Sequence, residues 1–315
     1  MITMTTKERI LVTGGAGFIG SHTIALLLDR GKEVVVLDNL LSGRLTRLPL
    51  THSKLTFVEG DILDYPLVAK LVHGCDAVLH LAAMASVSFS ITHPLEAYQT
   101  NAYGFMHVLE AIRQADHPVR LVYASSAAVY GDAAHLPCVE EDASACLPLS
   151  PYALHKVDNE QQAKLYTRLH GIEALGLRYF NVYGPGQDPA SLYSGVISRF
   201  LADHSHEVPL TIWGDGTQAR DFIYVTDIAL ANLLALESSY SGVLNIATGQ
   251  PETIFDLIQY IAHASERAPV CDCQPKRSFD IHLSYAAIDL AWQKIGFKAM
   301  VSLEKGVEVM VQQRD

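Results

Sequence analysis

The chain of 315 residues has no apolar run that approaches the roughly 20 residues of a membrane-spanning helix. Residues 1–9 contain no apolar core, so we expect no signal peptide. Basic residues are few, 23 lysines and arginines against 34 acidic residues, and no basic stripe offsets the net charge of −11. These absences argue against a membrane protein and against nucleic acid as a partner.

Cysteine is also rare. The five cysteines are an odd number and are scattered, which predicts reduced thiols in a cytoplasmic protein. Cys271 and Cys273 lie close together but lack a second Cys or His pair at a zinc-site spacing, and the 14 histidines are dispersed, so we expect no metal. The sequence also has no internal repeats and no low-complexity linkers. A chain of this length is expected to form one large domain or two modest ones.

The stretch at 10–20, ILVTGGAGFIG, has the pattern of a dinucleotide-binding turn. It begins with an apolar run typical of a strand buried on both faces, and a helical pattern follows at 21–29. Gly14 permits the tight turn, Gly17 lets the backbone approach a pyrophosphate, and Gly20 lets the helix pack close to the strand. The helix N-terminus then faces the phosphates.

An acid follows this turn at the spacing that a ribose-binding residue needs. A second apolar run, at 33–37, predicts another buried strand and ends in Asp38, 18 positions after Gly20. A carboxylate here accepts hydrogen bonds from a ribose 2′-hydroxyl and repels a 2′-phosphate. The sequence therefore favours NAD over NADP as the cofactor.

Apolar runs typical of strands alternate with helical patterns through the first half of the chain. The further predicted strands span residues 55–59, 77–81, 120–124 and 174–178. The predicted helices between them span 66–72, 94–115 and 151–170. This alternation predicts an α/β fold, a Rossmann-like doubly wound parallel sheet with helices on both faces. Ligands of such a sheet bind beyond the carboxyl ends of its strands.

Two strand ends carry residues suited to a flat ligand. Asp61 and Ile62 follow the third strand, where a short acid beside an apolar side chain can bind an adenine amine; an ordinary turn aspartate explains Asp61 equally well. Small residues at 81–83 follow the fourth strand and let the backbone approach a ligand. His80 lies in the apolar run itself, where a lone histidine is expected to be a packing residue.

A candidate catalytic pair lies at the start of the helix at 151–170. Ser150 is suited to cap this helix, which places Tyr152 in its first turn with Lys156 four residues on and on the same face. A phenol ionises near ~10, but a lysine ammonium favours the phenolate, as does an oxidised nicotinamide. Ser126 can hydrogen-bond the same substrate oxygen, so the three predict an acid–base site. A surface Tyr–Lys pair is the alternative.

The periodicity becomes irregular after the sixth strand, where Asn, Gly and Pro occur in quick succession. We therefore expect a dinucleotide-binding domain at 7–180 and a smaller, interleaved α/β region, mainly for substrate, at 181–315. A helix and a strand within 226–248 are expected to return to the first domain.

Two arginines of the second region are candidates for binding a diphosphate. Arg220 precedes an aspartate and a phenylalanine, and Arg277 lies further along the chain. A planar guanidinium suits phosphate oxygens, so both could bind such a substrate. A role as a surface ion-pair partner is the alternative for each.

Together these features resemble the extended short-chain dehydrogenase/reductase superfamily and, more narrowly, its NAD-dependent UDP-hexose 4-epimerases, closest to the UDP-N-acetylglucosamine branch. The resemblance covers nearly the whole chain. Its motifs are the turn at 13–20, Asp38-Asn39-Leu40, Gly60-Asp61-Ile62, Ser125-Ser126, the Tyr152/Lys156 pair, the run at 178–184, Arg220-Asp221-Phe222 and the run at 277–280. The resemblance implies bound NAD, a UDP-sugar substrate and a homodimer with its interface on the helices at 94–115 and 151–170.

The resemblance also implies roles for individual residues. Tyr152 takes the proton from the sugar 4-hydroxyl, Ser126 shares that hydrogen bond, and Lys156 lowers the pKa of the tyrosine and holds the nicotinamide ribose. The implied cofactor-binding residues are Gly14, Gly17, Phe18, Ile19, Gly20, Asp38, Asn39, Asp61, Ile62, Leu81, Ala82, Ala83, Asn101, Tyr152, Lys156 and Tyr179. The implied substrate-binding residues are Ser126, Asn181, Arg220, Arg277, Asp280 and Ser284.

The residues after the catalytic serine favour epimerisation over its sister reactions. The related dehydratases and decarboxylases carry acids there, whereas this chain has Ala127 and Ala128. Without an acid–base group, elimination or decarboxylation is expected to be slow. Epimerisation needs none, since NAD takes the hydride from C4 and returns it to the other face of a 4-keto sugar.

Substrate preference is inferred from the position that lines the family's pocket near the sugar 2-substituent. A tyrosine there crowds an N-acetyl group, and this chain has Ser284; the run at 186–189 also resembles the N-acetyl-sugar branch. We therefore expect interconversion of UDP-GlcNAc and UDP-GalNAc. The alternatives are UDP-glucose/galactose epimerisation or another nucleotide-sugar reaction, such as UDP-glucuronate epimerisation or dehydration. Outside this class, a non-catalytic NAD-binding module or a net oxidoreductase is possible.

Overall fold

A computed structural model describes residues 8–133, 135–189, 195–276 and 281–313. Its strands are β1 (Arg9–Thr13), β2 (Glu33–Asp38), β3 (Leu55–Glu59), β4 (Ala77–His80), β5 (Arg120–Ser126), β6 (Ala174–Tyr179), β7 (Asn181–Tyr183), β8 (Leu210–Trp213), β9 (Ala219–Tyr224), β10 (Gly242–Ile246), β11 (Pro251–Thr253), β12 (Cys271–Gln274) and β13 (Leu283–Ser284). Its α-helices are α1 (Phe18–Asp29), α2 (Tyr65–His73), α3 (Val87–Thr92), α4 (Pro94–Tyr98), α5 (Gly104–Arg113), α6 (Pro151–His170), α7 (Val196–Ser205), α8 (Val225–Glu237), α9 (Ile254–Ala264), α10 (Asp289–Ile295) and α11 (Leu303–Gln312).

Seven parallel strands form the central sheet, in the order β10-β6-β5-β4-β1-β2-β3. Val12 of β1 pairs with Val36 of β2 on one side and with Leu79 of β4 on the other. The order reverses at β1, so a crevice opens between the carboxyl ends of β1 and β4, where ligands of doubly wound sheets bind. The predicted Rossmann-like fold is confirmed.

Helices cover both faces of this sheet, which is why its strands are almost wholly apolar. On one face α1 packs against α8, and Ile24, Leu27 and Ile228 lie in the core beneath them. On the other face α2, α5 and α6 cover a second core, which includes Phe105 and Leu109. None of the helices in the described ranges is long and apolar enough to cross a membrane.

A smaller set of strands is centred on β9. It pairs with β11 antiparallel on one side, and with β13 and β7 in parallel. The strands β8 and β12 form a separate parallel pair. Tyr183, Phe200 and Leu257 belong to the core between these strands and the helices α7, α9 and α11. The strand β10 lies beside β6 in the central sheet although it follows β9 in sequence.

Three predicted elements differ in detail from the structure. The helix expected at 94–115 is divided into α4, a π-helical turn at Gln99–Tyr103, and α5. The first helix begins at Phe18 rather than at Ser21, because the amide of Ser21 closes the first turn on the carbonyl of Gly17 at 3.1 Å. The fifth strand continues through Ser126, since it stays paired with β6 to its end.

Candidate active site

The glycine turn between β1 and α1 is closed by backbone contacts that leave no room for side chains. Gly14 has φ +70°, and a Cβ there would lie 2.7 Å from the amide nitrogen of Ala82. A Cβ on Gly20 would lie 2.5 Å from the carbonyl oxygen of Gly14. Gly20 therefore lets α1 pack against the turn itself, rather than against the strand as the sequence pattern predicted.

Asp38 ties two loops together at the end of β2. Its Oδ2 accepts a hydrogen bond from the amide of Ala16 at 2.9 Å, and its Oδ1 accepts one from the amide of Leu40 at 2.8 Å. The neighbouring Asn39 donates from Nδ2 to a carboxylate oxygen of Asp61 at 2.8 Å. The acids predicted at the ends of β2 and β3 are therefore brought together in one polar wall.

A cavity of about 650 Å³ lies beyond the carboxyl ends of the central strands. Fifteen of the sixteen residues expected to bind the cofactor line it, together with Ser126; the fifteen are Gly14, Gly17, Phe18, Ile19, Gly20, Asp38, Asn39, Asp61, Ile62, Leu81, Ala82, Ala83, Tyr152, Lys156 and Tyr179. Ligand cavities of this size are typical of small-molecule and cofactor sites. The sequence motifs thus converge on one cleft.

Asn101 is the exception, because it lies behind the wall of the cavity. It is buried in the π-helical turn, and its side chain accepts a hydrogen bond from the amide of Met84 at 2.7 Å and donates one to the carbonyl of Met84 at 3.0 Å. Asn159 of α6 binds the backbone carbonyl of Asn101 at 3.0 Å. Asn101 therefore shapes the segment that lines the cavity, and the expectation of direct cofactor contact does not match this placement.

The three candidate catalytic residues meet at the start of α6. Ser150 caps the helix by accepting from the amide of Ala153 at 3.1 Å, and this places Tyr152 in the first turn as expected. Tyr152 and Ser126 both line the cavity, and the interaction between their side chains favours the phenolate of Tyr152. The Nζ of Lys156 lies 5.7 Å from the centroid of the Tyr152 ring. A phenol, a hydroxyl and an ammonium group thus share one wall.

Burial sets the protonation of this group. It raises the pKa of Tyr152, although the interaction with Ser126 lowers it in part. It also lowers the pKa of Lys156 to about 8. Desolvation of the phenolate dominates the pKa of Tyr152, and the charge of Lys156 is not among the causes of its shift. That Lys156 and an oxidised nicotinamide together favour the phenolate stays a prediction.

His80 is placed as a packing residue, as expected. It is 2% exposed at the end of β4, and its Nδ1 lies 2.9 Å from the hydroxyl oxygen of Thr13. Burial lowers its pKa to about 3, with a further contribution from the charge of Lys156. His80 is therefore neutral and cannot serve as an acid at neutral pH.

Of the expected substrate-binding residues other than Ser126, three, Asn181, Arg220 and Ser284, are not among the residues that line the cavity. Asn181 donates to the carbonyl of Asp221 at 3.2 Å, and Arg220 pairs in register with Ser284 between β9 and β13. Phe180 and Val182, which flank Asn181, do line it. Arg277 and Asp280, the remaining two, lie outside the described residues.

The lining of the cavity also includes two arginines that the sequence analysis did not name and two residues of the run at 186–189. They are Arg44, Arg47, Gln187 and Asp188. Arg44 forms an ion pair with Asp188, and Arg47 donates to the carbonyl of Gly186 at 2.7 Å. These contacts join segments about 140 positions apart in sequence, so no local pattern could have indicated them.

The cleft fits a dinucleotide in shape and chemistry. Glycine residues of the turn line the cavity with their backbone atoms. No side chain caps α1, and the first two residues of this helix, Phe18 and Ile19, also line the cavity. Helix N-termini of this kind bind phosphate groups. Asp38 places a carboxylate in the cavity wall at the end of β2, the position where such a sheet suits a ribose-binding acid. No cluster of side chains suited to a metal ion is found in the part of the chain that the structure describes.

Comparisons with known proteins agree with this fit. A family model described as the NAD dependent epimerase/dehydratase family matches residues 10–247. The chain is similar to a UDP-N-acetylglucosamine 4-epimerase from Methanobrevibacter ruminantium, with 37% identity, a TM-score of 0.91 and coverage of 98% of this chain and 99% of that one.

Two further solved structures are similar over nearly their whole length. One is a UDP-glucose 4-epimerase from Thermus thermophilus in complex with NAD, at 35% identity and a TM-score of 0.87, covering 96% of this chain and 98% of that one. The other is a UDP-glucuronic acid 4-epimerase from Bacillus cereus, also with NAD, at 30% identity and a TM-score of 0.86, covering 98% and 100%. With its glycine turn, acidic ribose site and Tyr–Lys pair around one cleft, the chain belongs to the NAD-dependent epimerase/dehydratase family, and its cofactor is NAD.

Proposed function

We propose that this protein is a UDP-sugar 4-epimerase that interconverts UDP-GlcNAc and UDP-GalNAc. The observation that carries the proposal is the placement of Tyr152, Ser126 and Lys156 in the wall of one dinucleotide cleft, with the Nζ of Lys156 5.7 Å from the centroid of the Tyr152 ring. In this proposal residues 7–180 and 226–248 hold NAD, and the rest of the second region binds the UDP-sugar. The named relatives, all 4-epimerases of UDP-sugars, support the reaction class.

The carboxylates around the cleft favour epimerisation over dehydration. Among the described residues that line the cavity, the acids are Asp38, Asp61 and Asp188. Asp38 is the last residue of β2 and Asp61 follows β3, three and four strands from β5, and Asp188 is paired with an arginine. The turn after Ser126 begins with two alanines. Among the described residues that line the cavity, no acid therefore lies on β5 or α6, the elements that carry Ser126 and Tyr152, to drive an elimination.

The residues of the site perform acid–base work on the sugar 4-hydroxyl. Tyr152 accepts the hydroxyl proton as the C4 carbonyl forms, and Ser126 hydrogen-bonds the same oxygen. NAD, when bound, supplies the hydride acceptor and donor, and its positive ring favours the phenolate. Lys156 adds a second positive charge near the phenol. The 4-keto sugar then rotates in the cleft, C4 regains the hydride on its opposite face, and Tyr152 returns the proton to the C4 oxygen. Because the hydride is given back, the reaction has no net redox change.

The preference for N-acetylated sugars is supported by Ser284. Its small side chain is half-buried and lies next to Arg220 across the β9–β13 pair. A hydroxymethyl group leaves more room for a 2-substituent than a tyrosine would. The similar protein from Methanobrevibacter ruminantium, a UDP-N-acetylglucosamine 4-epimerase, supports the same preference.

We predict that purified protein converts UDP-GlcNAc into a stable mixture with UDP-GalNAc without added reductant. Proton NMR of the anomeric signals over time measures this directly. Conversion of UDP-glucose or UDP-glucuronate alone would keep the reaction and overturn the substrate assignment. Keto or deoxy-sugar products would overturn epimerisation itself, and steady accumulation of NADH would indicate a net oxidoreductase.

Ser284→Tyr is expected to lower kcat/KM for UDP-GlcNAc by about tenfold or more, with little effect on UDP-glucose, because bulk is added only where an N-acetyl group needs space. Steady-state kinetics with both sugars measure the change. The control is Ser284→Ala, which removes the hydroxyl without adding bulk. Equal losses on both sugars in the tyrosine variant would contradict the placement of Ser284 near the 2-substituent.

We further propose that a second copy of the chain covers the apolar surface on α3, α4 and α6. Leu154, Leu165 and Leu169 are 45–60% exposed and lie on one face of α6, since their spacings are close to whole helical turns. Ile91 and Leu95 extend this surface, and Leu95 is 79% exposed. Exposed apolar surface of this kind marks protein–protein interfaces, and α4 and α6 lie within the two predicted helices, 94–115 and 151–170, that the family resemblance assigns to the dimer.

Leu165→Glu combined with Leu169→Glu is expected to convert a dimer into a monomer, because two carboxylates would have to be desolvated in the interface. Light scattering coupled to gel filtration measures the mass. Val270→Glu, at a 67% exposed valine elsewhere on the chain, is the matched control and is expected to leave the mass unchanged. A wild-type chain that is monomeric at micromolar concentration would exclude this interface.

A further inference from the structure

Three side chains of α6, spaced one helical turn apart, contact the last three residues of β5, 124–126. The first two, Tyr152 and Lys156, belong to the site described above; the Nζ of Lys156 donates to the carbonyl of residue 124 at 2.8 Å. The third is Glu160, whose Oε1 accepts from the hydroxyl of Ser125 at 2.5 Å. Glu160 thus extends the catalytic face of the helix by one turn.

Glu160 is held in place by a buried arginine. Its side chain is 8% exposed, and Arg178 of β6 donates to its two carboxylate oxygens at 2.9 and 2.7 Å. Arg178 also donates to the hydroxyl of Tyr130 and to the carbonyl of Glu140, each at 2.8 Å. Two-point pairing of this kind restricts the carboxylate to one orientation.

A charged group at this position matters because Lys156 is itself buried, at 2% exposure. Desolvation lowers the pKa of the lysine, and the carboxylate of Glu160 opposes that effect. The other titratable groups near Lys156 among the described residues are His155 on the same helix and His80 on β4, which carry no negative charge, and Tyr152, the phenol whose ionisation the lysine is proposed to assist.

Glu160 itself has further ionisable neighbours in the core. Besides Arg178, the buried phenol of Tyr123 on β5 lies within electrostatic reach of the carboxylate, and burial raises the pKa of that phenol well above its usual range. Tyr123 is therefore neutral, so among the described groups named here Glu160 is the carboxylate that acts on Lys156.

We propose that Glu160 is a positioning residue for the reaction: its carboxylate maintains the charge of Lys156 and holds the serines of β5 in register with Tyr152. The proposal rests on the roles assigned above to Tyr152 and Lys156. Glu160 does not line the cavity, so it stabilises the lysine from outside the site.

The test compares Glu160→Gln with the double variant Glu160→Gln/Arg178→Met, which leaves no uncompensated arginine in the core and so keeps the fold testable. In both, kcat is expected to fall at least about tenfold at pH 8 with little change in KM. The alkaline limb of the kcat–pH profile is expected to move to lower pH by about one unit, because an opposite charge near the lysine has been removed. The substrate is the UDP-sugar that the wild-type protein converts.

Ser125→Ala is the matched control, since it removes the hydrogen bond but keeps the carboxylate. It is expected to lower kcat less and to leave the alkaline limb in place. A folded, NAD-containing double variant with the wild-type pH profile would overturn the proposal. The variant Lys156→Met distinguishes this outcome from failure of the proposed function. If Lys156→Met keeps full activity, the role assigned to the lysine is wrong. If Lys156→Met is inactive, the role of the lysine stands and only the role assigned to Glu160 is wrong.

Discussion

Replacing Tyr152 with phenylalanine is expected to lower kcat by about 10²- to 10⁴-fold, the usual contribution of a positioned acid–base group. The phenol lies in the wall of the cavity together with Ser126, and the described residues that line this cavity include no histidine and no carboxylate on β4, β5 or α6 to take over its proton. His80, at the end of β4, is neutral because burial lowers its pKa to about 3. The loss is therefore expected in kcat rather than in KM.

Steady-state kinetics with UDP-GlcNAc and UDP-glucose measure this effect, and the NAD content of the purified variant shows whether the cleft is intact. Tyr166→Phe is the matched control, because Tyr166 lies on the same helix, is half-buried and contacts the ring of His170 rather than the cavity. It is expected to retain wild-type kcat. A Tyr152→Phe variant within threefold of the wild type would contradict the assignment of the base.

Substituting Gly20 with alanine is expected to abolish tight binding of NAD. The added Cβ would lie 2.5 Å from the carbonyl oxygen of Gly14 and 2.7 Å from the Cα of Gly15. Both are backbone atoms, so α1 must move away from the turn that cradles the phosphates. Overpacking of this kind costs about 1–3 kcal/mol of stability, and we expect the affinity for NAD to fall by about tenfold or more, the effect of 1.4 kcal/mol.

Calorimetric titration with NAD and a thermal unfolding curve measure the two effects of this substitution. Gly74→Ala is the control: Gly74 ends α2 at φ −92°, and a Cβ there would meet its neighbours at 3.8 Å, an ordinary contact. It is expected to change neither quantity appreciably. If Gly20→Ala bound NAD as tightly as the wild type, the turn would have to be more compliant than its backbone contacts indicate.

The sequence by itself determined the parts of the protein that depend on local periodicity and local sterics. The run before Gly14, the glycines after it and the acid at Asp38 specify strand, turn, helix and ribose site within 30 residues of one another. The four-residue spacing of Tyr152 and Lys156 places them on one face of α6 because a helix repeats every 3.6 residues. Each of these inferences needs only near neighbours in the chain.

The tertiary structure decided what those side chains meet. It brought Ser126 to Tyr152, placed Glu160 against Ser125 and Arg178, and joined Arg44 to Asp188 across the cleft. These contacts join residues far apart in the sequence, so no local pattern predicts them.

The burial of these side chains also depends on the tertiary structure, and it has two consequences for the site. The pKa of Tyr152 is raised rather than lowered, because the charged form of a phenol loses its hydration in a packed cleft. Asn101 became part of the supporting wall, because the π-helical turn directs its amide to the backbone of Met84. Local periodicity identified the candidate groups, but desolvation and long-range packing set their protonation and their partners.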